Sequence, residues 1–312
     1  MNIQQLKYCQ AVANHQSFGR AAKELYVSQS TLSTMIARLE EEIGITIFDR
    51  RVKPVEVTRE GRDIIRQINV VIGEINNLEI TASQLKGELG GKLTIGIIPT
   101  VAPYLLPYFI NAASARMPDT QIVISEMTTN EVVQALKTRS LDLGILSVPL
   151  SEEDLIEYRL YSEPFYLYDG SNKMPKSKVD PLTLDCHRLW LMDEGHCLRA
   201  QVAAVCDLRK RQKGERALEY KSGSIDTLMR FVRQNRGLTL LPHLATLDMS
   251  EQEVKKLRKF REPTPSRAIG MITHRHFKKQ TALKIISDEI KKSISPMIPT
   301  KKKESIVSPI GI

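Results

Sequence analysis

Long apolar runs and cysteine are both scarce in this 312-residue chain. No stretch reaches the 18 or so consecutive apolar residues that a membrane-spanning helix needs. The opening MNIQQLKYCQAVANHQSF turns polar too soon for a secretory leader. The expected location is therefore the cytoplasm, with no membrane partner. Only four cysteines occur (Cys9, Cys186, Cys197 and Cys206), too few for a disulfide scaffold in a chain of this length. Any disulfide between them is expected to be transient, regulatory or catalytic. The Cys and His spacings match no C-x-x-C or H-x-x-x-H ligand pattern, so neither a metal nor a cofactor is expected.

The chain has a net charge of +9, which favours a polyanionic partner through counterion release. The excess, however, is not at the N-terminus. Residues 1–87 carry 11 basic and 10 acidic side chains, residues 88–207 carry 10 and 16, and residues 208–295 carry 21 and 9. A DNA contact near the N-terminus must therefore be argued from individual residues.

The first 58 residues read as short helices over 3–14, 18–25 and 28–43, with the last two joined only by Tyr26 and Val27. Ser17 and Ser28 are placed to cap the second and third helices. So tight a junction makes the two helices cross steeply, as in a helix-turn-helix. In the third helix Leu32, Ile36, Leu39 and Ile43 form the apolar face, leaving Ser28, Gln29, Ser30, Thr31, Ser33 and Thr34 for other faces. Glutamine can read adenine and hydroxyls can reach phosphate or base edges, so these six are candidate DNA contacts. Any amphipathic helix also shows polar residues outward; the wing that follows, with Arg50, Arg51 and Lys53 around Pro54, tips the balance toward double-stranded DNA.

Residues 59–87 form a long helical pattern with Ile64, Ile68, Val71, Ile75, Leu78, Ala82 and Leu85 alternating at four- and three-residue gaps. That heptad seam is expected to pair with a second helix, making this segment a dimerising linker. Glycines at 87, 90 and 91 mark a boundary. Beyond it, over 88–295, strand patterns (92–98, 121–127, 141–147, 165–169, 189–193, 218–221, 238–241, 267–273) alternate with helical ones (104–117, 130–138, 198–209, 225–234, 279–292). The alternation predicts an α/β domain of two subdomains with mostly parallel sheets and a cleft between them. Residues 296–312, with three prolines and a lysine run, are expected to be disordered.

The run SFGRAAKELYVSQSTLSTMIARLEEEIGITIFDR followed by VEVTREG resembles the N-terminal signature of LysR-type transcriptional regulators. That resemblance implies an all-α winged helix-turn-helix, a linker helix and a periplasmic-binding-protein-like regulatory domain, in the order read above. It implies Gln29, Ser30, Thr31, Ser33 and Thr34 in the major groove and Arg50 and Lys53 in the wing. It also implies a homodimer or homotetramer, with RNA polymerase as a candidate partner. Ser30 stands where family members often carry proline, and Pro54 lies in a wing that is often more basic.

Within the regulatory domain GHCLR, a second cysteine nine residues on, IPTVAPYLLP and GLTLLPHLA together resemble the OxyR branch of that family, the hydrogen-peroxide sensors. By this resemblance Cys197 is oxidised by peroxide and Cys206 resolves it, while Thr100, Thr129, His196 and Arg267 form the peroxide pocket. Ala200 replaces the acid that the branch usually carries. The local chemistry agrees, since a reactive thiol needs a helix N-terminus or a cation beside it. Cys197 begins a helical pattern next to His196 and near Arg199. A free cysteine is otherwise most often a small buried hydrophobe, the role expected of Cys9 and Cys186.

Were residues 197–206 one helix, the two Cα atoms would lie about 13 Å apart, whereas a disulfide needs roughly 4.4–6.8 Å. Bonding therefore requires the helix to unwind, giving a redox-responsive regulator rather than an enzyme. The alternative is a regulator that responds to a small organic effector in the cleft, its cysteines incidental. A thiol peroxidase is disfavoured, because catalysis does not need a DNA-binding head.

Overall fold

A computed structural model of the chain describes residues 1–85, 91–171, 178–193, 197–206, 222–299 and 303–309. It divides into two compact units, one of Met1–Glu88 with Lys137–Ser140 and a larger one built from Leu89–Leu136 and Leu141–Ile312.

The first unit begins with three helices, α1 (Ile3–His15), α2 (Phe18–Glu24) and α3 (Gln29–Ile43). Asn2 and Gln5 exchange side-chain and backbone hydrogen bonds in a capping box at the start of α1, and Ser17 and Ser28 cap α2 and α3 as expected. Gly44, in the left-handed region at φ 70°, ends α3. The wing is a short antiparallel pair, β1 (Phe48–Asp49) and β2 (Glu56–Val57). Glu40 ties it to α3: its Oε1 accepts from the N–H groups of Ile47 and Phe48 at 2.7 and 3.1 Å.

The linker is α4 (Arg59–Leu85). Its first half departs from the expected free seam, because Ile68 and Ile72 are buried in the core made by α1, α2 and α3, with Ile64 and Ile65 packed against it. The apolar stripe there is wider than a heptad seam and includes Ile65 and Ile72, two residues the strict four–three count leaves out. Farther along, Val71 and Leu78 are exposed, Leu78 to 70%.

The second unit contains β3 (Gly91–Ile97), α5 (Ala102–Ala115), β4 (Thr120–Glu126), α6 (Thr129–Lys137), β5 (Leu143–Val148) and β6 (Leu155–Asp169). These are followed by α7 (Cys197–Val205), α8 (Ile225–Gln234), β7 (Leu238–Pro242), α9 (Glu251–Val254), β8 (Leu257–Lys259), β9 (Thr264–His274), α10 (Gln280–Ile294) and β10 (Glu304–Ile306). The main sheet runs β4-β3-β5-β9-β6-β7, with β10 beside β9 and β8 beside β6.

The expected mostly parallel sheet is not found. β3 pairs in parallel with β4 and β5, but β5–β9, β6–β9, β6–β7 and β6–β8 are antiparallel. The physical reason is β6 itself: sequence patterning caught only its last residues, while the full 15-residue strand runs antiparallel along β9 and then on to β7. It thereby joins two cores. One is built on β3, β4, β5, α5, α6 and α10; the other on the end of β6, β7, α7 and α8. The two subdomains expected from length and alternation correspond to these cores.

Two further expectations differ. Residues 189–193 contribute a single bridge, Leu189 to Leu238, rather than a strand, and the expected strand at 218–221 lies outside the described residues. The tail is not disordered where it is described: Glu304–Ile306 pairs in parallel with Thr264–Ser266, and Pro309 is buried. Polar composition concealed this, since the short strand is held mainly by backbone hydrogen bonds to β9 and by Val307.

Candidate functional site

The tip of α3 presents its polar residues as a group. The Ser28 hydroxyl accepts from the Thr31 N–H at 3.0 Å and lies 2.9 and 2.8 Å from the Ser30 and Thr31 hydroxyls. Gln29, Ser30, Thr31 and Thr34 are exposed. Ser33 is half-buried and accepts from Arg50 Nη1 at 3.0 Å. Arg50 also binds Glu40 at 2.8 Å through Nη2 and lies 5.0 Å over the Phe18 ring. Arg50 and Ser33 thus brace the wing against α3, while Lys53 stands exposed in the wing. Sequence reading passed over Tyr26, which is 96% exposed in the turn before α3. Its place in a two-residue turn is the signal that could have found it.

In the second unit four element ends converge on one thiol. Cys197 is the first residue of α7 and is buried. Thr100 follows β3, Thr129 opens α6, and Arg267 lies on β9. Arg267 is 1% exposed, and a buried guanidinium requires full compensation. Its Nε donates to Glu163 at 2.9 Å, Nη1 to the Thr100 hydroxyl at 3.1 Å and Nη2 to the Thr100 carbonyl at 3.0 Å. Glu163, from β6, also accepts from the Leu244 N–H at 2.8 Å. This acid was missed in the sequence; a glutamate within the apolar end of a strand is the clue.

Burial pushes the Cys197 thiol above its ordinary value. Against that dominant effect, the Arg267 guanidinium, the Thr129 hydroxyl and the backbone N–H groups of Leu198 and Ser147 pull it down. The cation acting on the thiol is therefore Arg267 from another strand, whereas Arg199 Nη1 donates to the Met192 carbonyl at 3.0 Å. Among the described residues the buried Thr129 Oγ1 has no hydrogen-bond partner of ordinary geometry, yet it is close enough to favour the thiolate. We read it as a polar contact to sulfur rather than a made hydrogen bond. His196 lies outside the described residues, as does the side chain of Cys186.

Cys206 follows the end of α7 with its N–H bonded to the Val202 carbonyl at 3.1 Å, and it is fully buried. The two cysteines are not joined by a disulfide and belong to different cores, Cys197 to the first and Cys206 to the second. Among the described residues no three His, Cys, Asp or Glu side chains come together as a metal site. No helix among the described residues is long and apolar enough to cross a membrane.

Comparison with known proteins decides the family. Residues 3–62 match the bacterial regulatory helix-turn-helix protein, lysR family, and residues 86–294 match the LysR substrate binding domain. The chain belongs to the LysR family of bacterial transcription regulators. Within this family it is 33% identical over 274 residues to the hydrogen peroxide-inducible genes activator of Haemophilus influenzae, covering 87% of this chain and 90% of that one. It is equally 33% identical over 274 residues to the DNA-binding transcriptional dual regulator OxyR of Escherichia coli strain K12, covering 87% and 89%. A full-length OxyR variant from Pseudomonas aeruginosa superposes with a TM-score of 0.76 at 30% identity, covering 93% of this chain and 98% of that one. This LysR-family chain is thus an OxyR-like regulator in sequence and in fold.

Proposed function

We propose that this LysR-family regulator senses hydrogen peroxide through Cys197 and Cys206 and converts their oxidation into altered DNA binding. The observation that carries the reading is the placement of Cys197: a buried thiol at a helix start, facing the Arg267 guanidinium, the Thr129 hydroxyl and two peptide N–H groups. Those groups stabilise a thiolate, and with Thr100 and His196 they line the site where peroxide is held. The Cys197 sulfur attacks one peroxide oxygen, giving sulfenic acid and one water. The Cys206 thiol then displaces the hydroxyl, giving the disulfide and a second water.

The helical separation forbids that bond while α7 is intact. Oxidation therefore selects an unwound segment, and each sulfur leaves its own core. The refolding supplies the second state that a redox switch requires. Residues 1–58 act as the DNA-binding domain, 59–87 as the linker, and 88–295 as the regulatory domain.

Two chains pair along the exposed part of α4, and regulatory-domain contacts extend the dimer to a tetramer. Paired heads match two half-sites of an operator. Gln29, Ser30, Thr31 and Thr34 enter the groove, Lys53 contacts phosphate, and Ser28 orders the tip of α3. Ser33 and Arg50 serve chiefly by holding the wing. RNA polymerase is the partner through which a bound regulator acts on transcription.

The test is operator binding and transcription before and after peroxide, in wild type and in Cys197→Ser. The reading expects a peroxide-dependent change in wild type that Cys197→Ser abolishes. An unchanged response in the variant contradicts it and favours a small organic effector in the cleft.

A further inference from the structure

The tail ends against the helix that carries the redox cysteine. Val307 donates its N–H to the Ser266 carbonyl at 2.8 Å, and Thr264 donates to the Lys303 carbonyl at 3.2 Å. The Val307 carbonyl accepts from Gln201 Nε2 at 3.0 Å. Gln201 lies in the middle of α7 and is fully buried. The same nitrogen donates to Ser147 Oγ at 2.9 Å, and Ser147 Oγ donates on to the Ala268 carbonyl at 3.2 Å. A backbone carbonyl can only accept, so the amide nitrogen, not the oxygen, must face Val307. Among the described residues Gln201 Oε1 has no hydrogen-bond partner, and the amide is held there through its nitrogen.

These bonds join the tail to the thiol pocket. The Ser147 N–H is one of the two that reach Cys197, and its side chain is bonded to Gln201. Apart from these backbone bonds to β9, β10 has little apolar burial: Glu304, Ser305 and Ile306 are all exposed, while Val307 packs against the second core and Pro309 is buried. So short an edge strand gains little from apolar burial. The Gln201 bond adds a side-chain tie from α7 to the end of this strand, and that tie exists only while residue 201 occupies its helical position.

We propose that residues 303–309 form a latch on α7, with Gln201 as its catch, docked while α7 is helical and released when α7 unwinds. The inference rests on the peroxide reading above for the event that unwinds α7. Consumption of one hydrogen peroxide by the two thiols yields one disulfide and two waters, so no further reactant is needed. Linkage makes the coupling reciprocal: if unwinding α7 frees the tail, removing the tail eases unwinding by the same factor. The latch thus sets how readily the regulator switches, and release bares β9 from Thr264 to Ser266.

The experiment is hydrogen–deuterium exchange of the peptide covering residues 303–309 in the full-length protein, with the disulfide mapped by mass spectrometry in the same samples. In wild type the tail amides exchange slowly when reduced and about fivefold or more faster after peroxide. Gln201→Leu, which keeps the helix and the side-chain volume, exchanges fast at the tail in the reduced state while α7 stays protected. Deletion of residues 303–312 gives the second variant and forms the Cys197–Cys206 disulfide faster than wild type.

A tail that stays protected in Gln201→Leu overturns the latch whatever the cysteines do. So does a tail that stays protected in wild type whose disulfide is complete, an outcome that leaves the peroxide reading standing. Failure to form the disulfide defeats the peroxide reading instead, and a tail freed by Gln201→Leu in that case still supports the catch.

Discussion

Cys197 and Cys206 sit at the two ends of α7, and the helix between them places each thiol in a different hydrophobic core. Nine residues of helix keep their Cα atoms about 13 Å apart. Under the proposed function, a disulfide between them would draw at least one thiol out of its core, so oxidation at one end of α7 would be felt in both subdomains.

The Arg267–Glu163 pair is the electrostatic floor of the pocket, with both residues almost wholly buried. Arg267→Met leaves the buried Glu163 without its cation and is expected to cost about 3–5 kcal/mol of stability. Adding Glu163→Gln to Arg267→Met removes the stranded charge and recovers a substantial part of that loss. Chemical denaturation of the three proteins checks the order.

Burial holds the Cys197 thiol above its ordinary value of 9.0, so the neutral thiol dominates near neutrality. Because the thiolate is the nucleophile, the rate of sulfenic acid formation should climb about tenfold per pH unit between roughly pH 6 and 8, following the thiolate fraction. Stopped-flow measurement on Cys206→Ser isolates that step. A plateau already reached below about pH 7 would contradict the upward shift of the thiol.

Ala200 lies in the opening part of α7, and the first turn of that helix has no acidic residue. Ala200→Asp places a carboxylate near the positive end of the helix, worth about 0.3–1 kcal/mol. It stabilises the helical, reduced form and disfavours a nearby thiolate. The disulfide should then form roughly two- to fivefold more slowly; faster formation would count against helix unwinding as the barrier.

Leu78 is 70% exposed on α4. A helix that pairs there cannot tolerate a charge, so Leu78→Glu should shift the sedimentation profile toward smaller species and weaken operator binding. The melting temperature of the monomer's α1–α3 core should hardly move, since Leu78 is not part of it.

The local signals were legible in the sequence. Ser17 and Ser28 cap helices because a hydroxyl placed before an apolar period has few other uses, and Gly44 stops α3 for a similarly local reason. Cys197 at a helix start follows from the same periodicity. What stayed hidden depends on distant partners. Glu163 and Arg267 are 104 positions apart and meet only because β6 runs antiparallel along β9. The bonds of Arg50 to Ser33 and Glu40 are likewise set by the way the wing folds back on α3, which no local pattern announces. The three residues of β10 lack the apolar density that marks a strand, since neighbouring backbone rather than side-chain burial defines them.

The central claim is that peroxide joins Cys197 to Cys206 by unwinding α7. Peptide mass mapping of the full-length protein after one equivalent of hydrogen peroxide, with wild type and Cys206→Ser side by side, tests it most directly. The account predicts a Cys197–Cys206 cross-linked peptide in wild type and a sulfenic acid at Cys197 in Cys206→Ser. Wild-type protein in which the two cysteines remain unlinked, with oxidation at other residues only, would contradict it.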